Sequence, residues 1–371
     1  MAKARAVVQV GDRRYEIQEF ELPRVRDDDA LMRVEACGIC GSDVDQYDGK
    51  LNGMGLQLPI VPGHEPVGVI EEIGVEAARR WGLKKGDRVA VEPGLGCGHC
   101  RDCIQGNFRR CRVGRPGTKI VACGFVPTHI PPSLWGGMAE YMYLDPHAAL
   151  HKVSRDIPAE LAALYQPMAA GISWAYYEPH TRVGDTVVVW GAGQRGLACV
   201  VGAREAGAAQ VIVVARRQSE HRLALAKELG ADVALYSEDD VVARVRELTH
   251  GEGADVVIDV TAQVMEPITK AVEMAKQAGT IVLAGVKGWG AMIPGLENDR
   301  IFVKELTIKG VRNSDYRSFE VAIRLIESRR YPLEKMHTHS FALEDIDLAI
   351  RTLAGRVPGE NAVSVSLDPA L

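Results

Sequence analysis

Cysteines stand at positions 97, 100, 103 and 111, three of them at every third residue and a fourth closing the loop. Four thiolates on so short a segment can surround one ion tetrahedrally, the arrangement of a closed structural Zn2+ site. A second set of donors lies upstream, in Cys37-Gly-Ile-Cys40-Gly-Ser42-Asp43 and Pro62-Gly63-His64-Glu65. Thiolate, imidazole and carboxylate together suit a catalytic Zn2+ that keeps one position open. Downstream, Val187-Val-Val-Trp190-Gly191-Ala-Gly193-Gln-Arg-Gly196 joins a β-branched run to a helical one. In that context G-x-G-x-x-G binds a dinucleotide. Gly191 makes the tight turn, Gly193 lets the backbone approach a pyrophosphate, and Gly196 packs helix on strand.

The next strand of such a unit selects the cofactor. It ends in Val213-Val-Ala215-Arg216-Arg217-Gln218, with no carboxylate before Glu220. An NAD(H) site presents Asp or Glu there to the ribose hydroxyls. Two guanidiniums favour a 2′-phosphate through charge and paired donors, so the residues favour NADP(H) over NAD(H). An NAD enzyme would instead leave Arg216 and Arg217 as a solvated turn.

The elements that must hold these residues fall into two groups. With 371 residues, 47% hydrophobic and 25% charged, the chain has an ordinary globular composition and is long enough for two domains. The net charge of −5 lacks the basic footprint of a nucleic-acid binder. No apolar run approaches the ~20 residues that span a bilayer, and the N-terminal residues lack the apolar stretch of a signal peptide. Eight cysteines, half of them clustered, read as metal ligands in a reducing cytoplasm rather than a secreted disulfide scaffold. Ala4–Val10, Ala30–Ala36, Val67–Ile73 and Arg88–Val91 are short, closely spaced apolar runs, which predict a β-rich, barrel-like domain. From residue 186 the pattern becomes regular. Thr186–Trp190, Gln210–Ala215, Ala254–Val260 and Gly279–Ala284 read as strands buried on both faces, with helices over 194–206, 220–229, 238–249 and 265–277 between them. Ser219 is placed to cap the second helix and Gly230 to end it. After Leu306–Val311 the alternation stops, and the tail carries one helix, Ser318–Glu327.

In order along essentially the whole chain, five motifs resemble the zinc-dependent medium-chain dehydrogenases/reductases, the alcohol and sorbitol dehydrogenase superfamily. They are Gly38-Ile-Cys40-Gly41-Ser42-Asp43, Gly63-His64-Glu65, the four-cysteine lobe, Gly136-Gly137-Met-Ala-Glu140-Tyr141 and Gly191-Ala-Gly193-Gln-Arg-Gly196. The resemblance implies an α/β protein with a GroES-like β-rich catalytic domain over residues 1–165, including a zinc lobe over 95–113. A Rossmann doubly wound parallel-sheet domain follows over 166–312, and 313–371 returns to the first domain, with the active site in the cleft. It also implies roles. Cys40 and His64 match catalytic zinc ligands, and Glu65 a ligand or a neighbour able to swing on to the metal. Asp43 matches the carboxylate that orients the imidazole, and Ser42 the hydroxyl that contacts the substrate oxygen and starts a proton relay. Cys97, Cys100, Cys103 and Cys111 match the structural site. Gly191, Gly193, Gln194, Arg195, Gly196, Arg216, Arg217, Thr261, Gly285 and Arg312 form the expected cofactor site. One catalytic and one structural Zn2+ per chain, a small-molecule alcohol or carbonyl substrate, and a homodimer or homotetramer complete the expectation.

Two positions depart from the family pattern. Tyr165-Gln166-Pro167-Met168 carries a neutral Gln166 where Cys, Glu or Asp is usual. Its carbonyl oxygen can coordinate weakly or bind a zinc water, which shifts the task of neutralising the metal to Glu65. Asp45 stands where many relatives carry a relay histidine. Met54, Leu56, Phe125 and Trp135 fall in loops that line the substrate cleft in this family or simply pack. Cys37, Cys123 and Cys199 read as small apolar fillers, and His337 and His339 as solvated turn residues.

The expected protein is a zinc-dependent oxidoreductase. It moves a hydride between a secondary alcohol or polyol, or the matching ketone or aldehyde, and NADP(H), with the metal as Lewis acid and Ser42 taking the hydroxyl proton. An aldehyde or ketone reductase and an NAD-dependent polyol dehydrogenase are the alternatives within enzymes. A zinc-ribbon interaction module without catalytic metal is the alternative outside them, and the presence of Cys40, Ser42 and His64 argues against it.

Overall fold

A computed structural model describes residues 2–113 and 122–371. The chain divides into two compact units, Met1–Gln166 with Asp315–Ser328 and Met336–Leu371, and Pro167–Ser314 with Arg329–Lys335. Arg329–Lys335, inside the tail assigned above to the first domain, thus belongs to the second unit. There Arg330 and Tyr331 bond Glu205 at 2.6 and 2.7 Å, and Lys335 pairs with Glu228.

The first unit is built on a mixed, mostly antiparallel sheet whose spine is Ala30–Ile39. Met32, Val34, Ile39, Ile70, Val89, Leu144 and Val365 fill its core. The spine pairs with Glu65–Ile73 in a register that sets Gly38 opposite Glu65. This pairing brings together two motifs separated in sequence, because Cys40 leaves the end of one strand where His64 enters the next. The chain's last strand, Ser364–Leu367, pairs with the other side of the spine. The tail carries a second helix that the sequence reading left out, Ile346–Leu353, with Ile346, Ala349 and Ile350 buried at helical spacing. His337 and His339 lie in the strand His337–Phe341 rather than in a solvated turn. His337 Nε2 is 2.9 Å from Ser366 Oγ, and His339 Nε2 is 2.9 Å from Glu360.

The second unit contains six parallel strands in the order Val233–Tyr236, Gln210–Ala215, Thr186–Trp190, Ala254–Asp259, Ala275–Leu283 and Thr307–Gly310. Val187, Val188 and Val189 and the run Val211–Val214 are wholly buried, as strands covered on both faces require. The sequence reading missed Val233–Tyr236, a four-residue edge strand whose side chains are all only half-buried. Helices Gln194–Glu205, Glu220–Glu228, Val241–Leu248 and Glu266–Met274 lie where the periodicity placed them, within a few residues. Ser219 precedes Glu220–Glu228 but its side chain caps nothing. The 3-10 turn Arg217–Ser219 already carries the chain into helical conformation there. Strand order reverses between Thr186–Trp190 and Ala254–Asp259, and a doubly wound sheet receives its ligand at the carboxyl ends of strands at such a switch.

Candidate metal and cofactor sites

The capping geometry of one short helix organises the first donor set. Cys40 is the N-cap of Gly41–Tyr47, and Asp43, three residues on, accepts the Cys40 backbone N–H through Oδ2 at 2.8 Å. The other oxygen of Asp43 lies 3.3 Å from His64 Nδ1, so one carboxylate steadies both residues. His64 Nε2 lies 3.2 Å from Cys40 Sγ, and Ser42 Oγ lies 2.7 Å from that sulfur and 3.2 Å from Nε2. The ligand atoms of Cys40, His64 and Glu65 all fall within 4.8 Å of one another. Nitrogen and sulfur donors on one tetrahedral Zn2+ sit about 3.5 Å apart, so the set fits that ion. Cys40, Asp43, His64 and Glu65 are buried. Burial is the largest influence on His64 and disfavours its charged form. The Asp43 carboxylate and the Cys40 thiol outweigh it and hold the ring well above the ordinary histidine pKa. A Cβ at position 38 would come within 2.7 Å of Glu65 Oε2, so glycine there leaves this carboxylate in place.

Gln166 is buried at the start of the helix Tyr165–Ile172. Asp45 accepts from Lys50 Nζ at 3.0 Å. The Phe125 ring centre lies 5.6 Å from that of His64, whereas Trp135 is a packing residue, stacked edge-on to Tyr143 and donating to the Ile130 carbonyl at 2.8 Å. The Met54 side chain lies outside the described part of the structure. Cys37, Cys123 and Cys199 are wholly buried, as expected of fillers.

The four lobe cysteines also bring their sulfurs within 4.8 Å of one another. Cys97 and Cys103 sulfurs are 3.9 Å apart, against about 3.8 Å for two thiolates on one tetrahedral Zn2+. Backbone N–H groups of Cys97 and Cys100 point at the sulfurs of Cys111 and Cys97 at 3.4 and 3.3 Å. Burial, followed by the neighbouring thiols, pushes Cys103 up to about 12. A crowd of thiols that resists ionisation is what a bound cation relieves. His99 turns its Nδ1 to the Cys97 carbonyl at 2.8 Å.

In the second unit the glycine turn has the geometry of a phosphate cradle. Gly191 adopts φ 115°. A Cβ at Gly196 would come within 1.8 Å of the Gly191 carbonyl oxygen, whereas a Cβ at Gly193 would meet nothing within 4 Å. Backbone with open space beside it, at the start of a twelve-residue helix, fits a pyrophosphate. Gln194 is buried and Arg195 half-buried just after the turn. Thr261 and Gly285 meet at the ends of two adjacent strands, where a Cβ on Gly285 would come within 1.8 Å of the Thr261 carbonyl oxygen. Two residues here escaped the sequence reading. Buried Asp259 accepts the N–H and hydroxyl of Thr261 at 2.9 and 2.6 Å. Lys287 pairs with Asp259 at 2.7 Å and donates to the Thr261 carbonyl at 2.6 Å. The available signal was an Asp ending a buried strand two residues before a Thr. Arg312 is exposed just after the edge strand Thr307–Gly310.

The structure divides the arginine pair. Arg217 donates to Asp239 at 3.1 Å, lies 3.9 Å above the Tyr236 ring and gives its backbone N–H to Glu238. Arg216 packs on the Gln218 amide and stands near Arg222, a third arginine absent from the sequence reading. Burial, and then the charge of Arg216, lower the Arg222 pKa. Two guanidiniums close enough to repel suit an anionic ligand.

Residues 26–155 match the alcohol dehydrogenase GroES-like domain, and residues 196–328 match the zinc-binding dehydrogenase domain. The chain is 42% identical over 370 residues, 99% of each chain, to the Mycobacterium tuberculosis protein named Probable alcohol dehydrogenase. It is 32% identical to erythritol/L-threitol dehydrogenase of Mycolicibacterium smegmatis, covering 99% of this chain and 98% of that one. A zinc-binding dehydrogenase fold from Sinorhizobium meliloti 1021, solved with NADP bound, superposes with a TM-score of 0.84 at 27% identity over 100% of both chains. The chain belongs to the zinc-type medium-chain dehydrogenase/reductase family. It is an oxidoreductase of the alcohol and polyol dehydrogenase kind, using zinc and a nicotinamide cofactor on small-molecule substrates.

Proposed function

We propose that this enzyme interconverts a secondary alcohol or polyol and its carbonyl compound with NADP(H) as the preferred cofactor. The observation that carries the chemistry is the convergence of Cys40, Ser42, His64 and Glu65 around one point, braced by Asp43. Cys40, His64 and Glu65 hold the catalytic Zn2+, with Gln166 as a neutral neighbour, and Cys97, Cys100, Cys103 and Cys111 hold the structural one. Bound there, the catalytic ion supplies Lewis acidity toward an alcohol or carbonyl oxygen. Ser42 accepts the substrate hydroxyl proton and passes it outward. Asp43 keeps His64 in one orientation, as a carboxylate behind a ligating imidazole does. The Phe125 ring forms an apolar wall beside His64. The carbinol hydrogen leaves as hydride to the nicotinamide, so the alcohol loses one proton, one hydrogen nucleus and two electrons in total.

Glu65→Ala is expected to cost more catalytic zinc and more kcat than Gln166→Ala. Removing Glu65 takes away one of the two negative charges that balance Zn2+, whereas removing Gln166 deletes a neutral donor. A tenfold or greater gap in kcat is expected, at least about 1.4 kcal/mol in barrier. Metal analysis and steady-state rates on the two variants check the ranking, and equal losses would overturn it.

The NADP(H) preference rests on Arg216 with Arg222, since Arg217 is committed to Asp239 and Tyr236. A charge-assisted hydrogen bond contributes about 1.5–3 kcal/mol, so Arg216→Ala should cut the NADP-over-NAD ratio of kcat/KM by roughly tenfold to a hundredfold. Arg217→Ala should change it about threefold or less, since its lost partners lie within the protein. A panel of polyols and secondary alcohols, read by nicotinamide absorbance with both cofactors, tests substrate class and preference together. Wild-type enzyme as efficient with NAD(H) as with NADP(H) would refute the preference.

The assembly we propose is a cytoplasmic homo-oligomer. Among the described residues no helix is long and apolar enough to cross a membrane. Trp289, Met292, Phe302 and Val303 are large apolar side chains left exposed, the kind of surface a second copy would cover. Light scattering on the purified protein reads the subunit number.

A further inference from the structure

Arg195 is the second residue of the helix Gln194–Glu205. A cation there opposes the positive end of the helix dipole, so helix stability does not account for it. The guanidinium is nevertheless held in place. Its central carbon lies 5.2 Å from the centre of the Trp174 ring, within the range of cation–π attraction. Trp174 is itself fixed. It is 3% exposed, and its Nε1 donates to the Asn313 carbonyl at 3.0 Å. It also lies in Ser173–Tyr177, a single π-helical turn that continues the helix Tyr165–Ile172. Such turns reposition side chains and recur at functional sites. Two residues before Arg195, Gly193 has open space where a Cβ would stand.

We propose that Trp174 is a positioning residue for the cofactor, holding Arg195 against the pyrophosphate received by the Gly191–Gly196 turn. The proposal rests on the dinucleotide-binding reading of that turn. Arg195 supplies the charge, and Trp174 removes the entropic cost of ordering a long flexible side chain when the cofactor arrives.

A double-mutant cycle on the zinc-loaded enzyme tests it, with NADP+ titrated by calorimetry and kinetics run beside it. Arg195→Met should weaken binding by about tenfold or more, the loss of a charge-assisted contact. Trp174→Leu should weaken it about fivefold while kcat at saturating cofactor stays within about twofold, because only binding is affected. In the Arg195→Met background, Trp174→Leu should add less than about twofold, the signature of coupled residues. Trp174→Phe, which keeps an aromatic face, should recover most of the loss. Equal losses from Trp174→Leu in both backgrounds would show a packing role and overturn the proposal. So would wild-type affinity in Trp174→Leu alongside weak binding in Arg195→Met. If Trp174→Leu does not fold, Trp174→Met, which also removes the aromatic face, and its double variant with Arg195→Met carry the same cycle. Gly193→Val separates the underlying reading. Binding lost in Gly193→Val but intact in Arg195→Met overturns the role of Trp174 alone, and binding intact in both overturns the turn as cofactor site.

Discussion

Cys40→Ser should abolish turnover while leaving the protein folded. The zinc content is expected to fall from about two ions per chain to about one, the structural ion remaining. Loss of the Lewis acid removes several kcal/mol of transition-state stabilisation, so kcat should fall at least about a thousandfold. The fold should survive because Cys40 sits at the junction of a strand and a capped helix whose other supports persist. Asp43 still accepts the backbone N–H of residue 40, and the Gly38–Glu65 register belongs to the sheet. Serine is close in size to cysteine and can keep the N-cap role. Rates, metal analysis and a thermal melt on the same preparation check this. Wild-type activity in Cys40→Ser would end the assignment of a catalytic zinc there.

The chemistry was legible in the sequence wherever a motif is local. The four lobe cysteines, the glycine turn and the Cys40–Asp43 segment each lie within about four turns of chain. Their types and spacing alone narrow what they can do. Cys40 and His64 are 24 residues apart, and only the antiparallel register of two strands joins them. Sequence pattern does not specify that register, so the motif resemblance linked the pair before the geometry did. Residues that act through distant partners stayed hidden. Arg216 and Arg217 are indistinguishable in sequence, yet one is drawn off by Asp239, 22 positions away. Arg222 reads as the charged face of an amphipathic helix until its half-buried place near Arg216 is visible. Lys287 lies in a glycine-rich loop, and nothing in its neighbours forecasts a salt bridge to a buried aspartate at the end of another strand. The helix Ile346–Leu353 differs. Its apolar spacing was present in the sequence, but eight residues flanked by short segments give periodicity little length to act on.

Cys103→Ser should act on folding rather than on chemistry. The lobe has few means of its own to stay ordered. Its one α-helix, Arg101–Ile104, is four residues long, well below the length at which a helix holds together in water. Ile104 is 74% exposed and Val113 57% exposed, so these two apolar side chains of the lobe add nothing to a core. The most buried of the four lobe cysteines is Cys103, at 4% exposure, facing Cys97. Structural zinc in small peptides supplies about 10–16 kcal/mol of apparent binding free energy that doubles as folding free energy. Loss of one of four ligands should forfeit a large part of it. The expected result is a chain that retains at most about one zinc ion, the catalytic one. It should melt at a lower temperature and be cut by trypsin near Arg101, Arg109, Arg110 or Arg112 while the rest of the chain resists. Because the lobe's donor set shares no residue with the Cys40, His64 and Glu65 set, any intact fraction should keep a kcat per catalytic zinc within a few-fold of wild type, on the order of 1 kcal/mol in barrier. That separates this variant from Cys40→Ser, which should melt normally and turn over nothing. Two zinc ions and a wild-type melt in Cys103→Ser would show that the lobe stands without its metal.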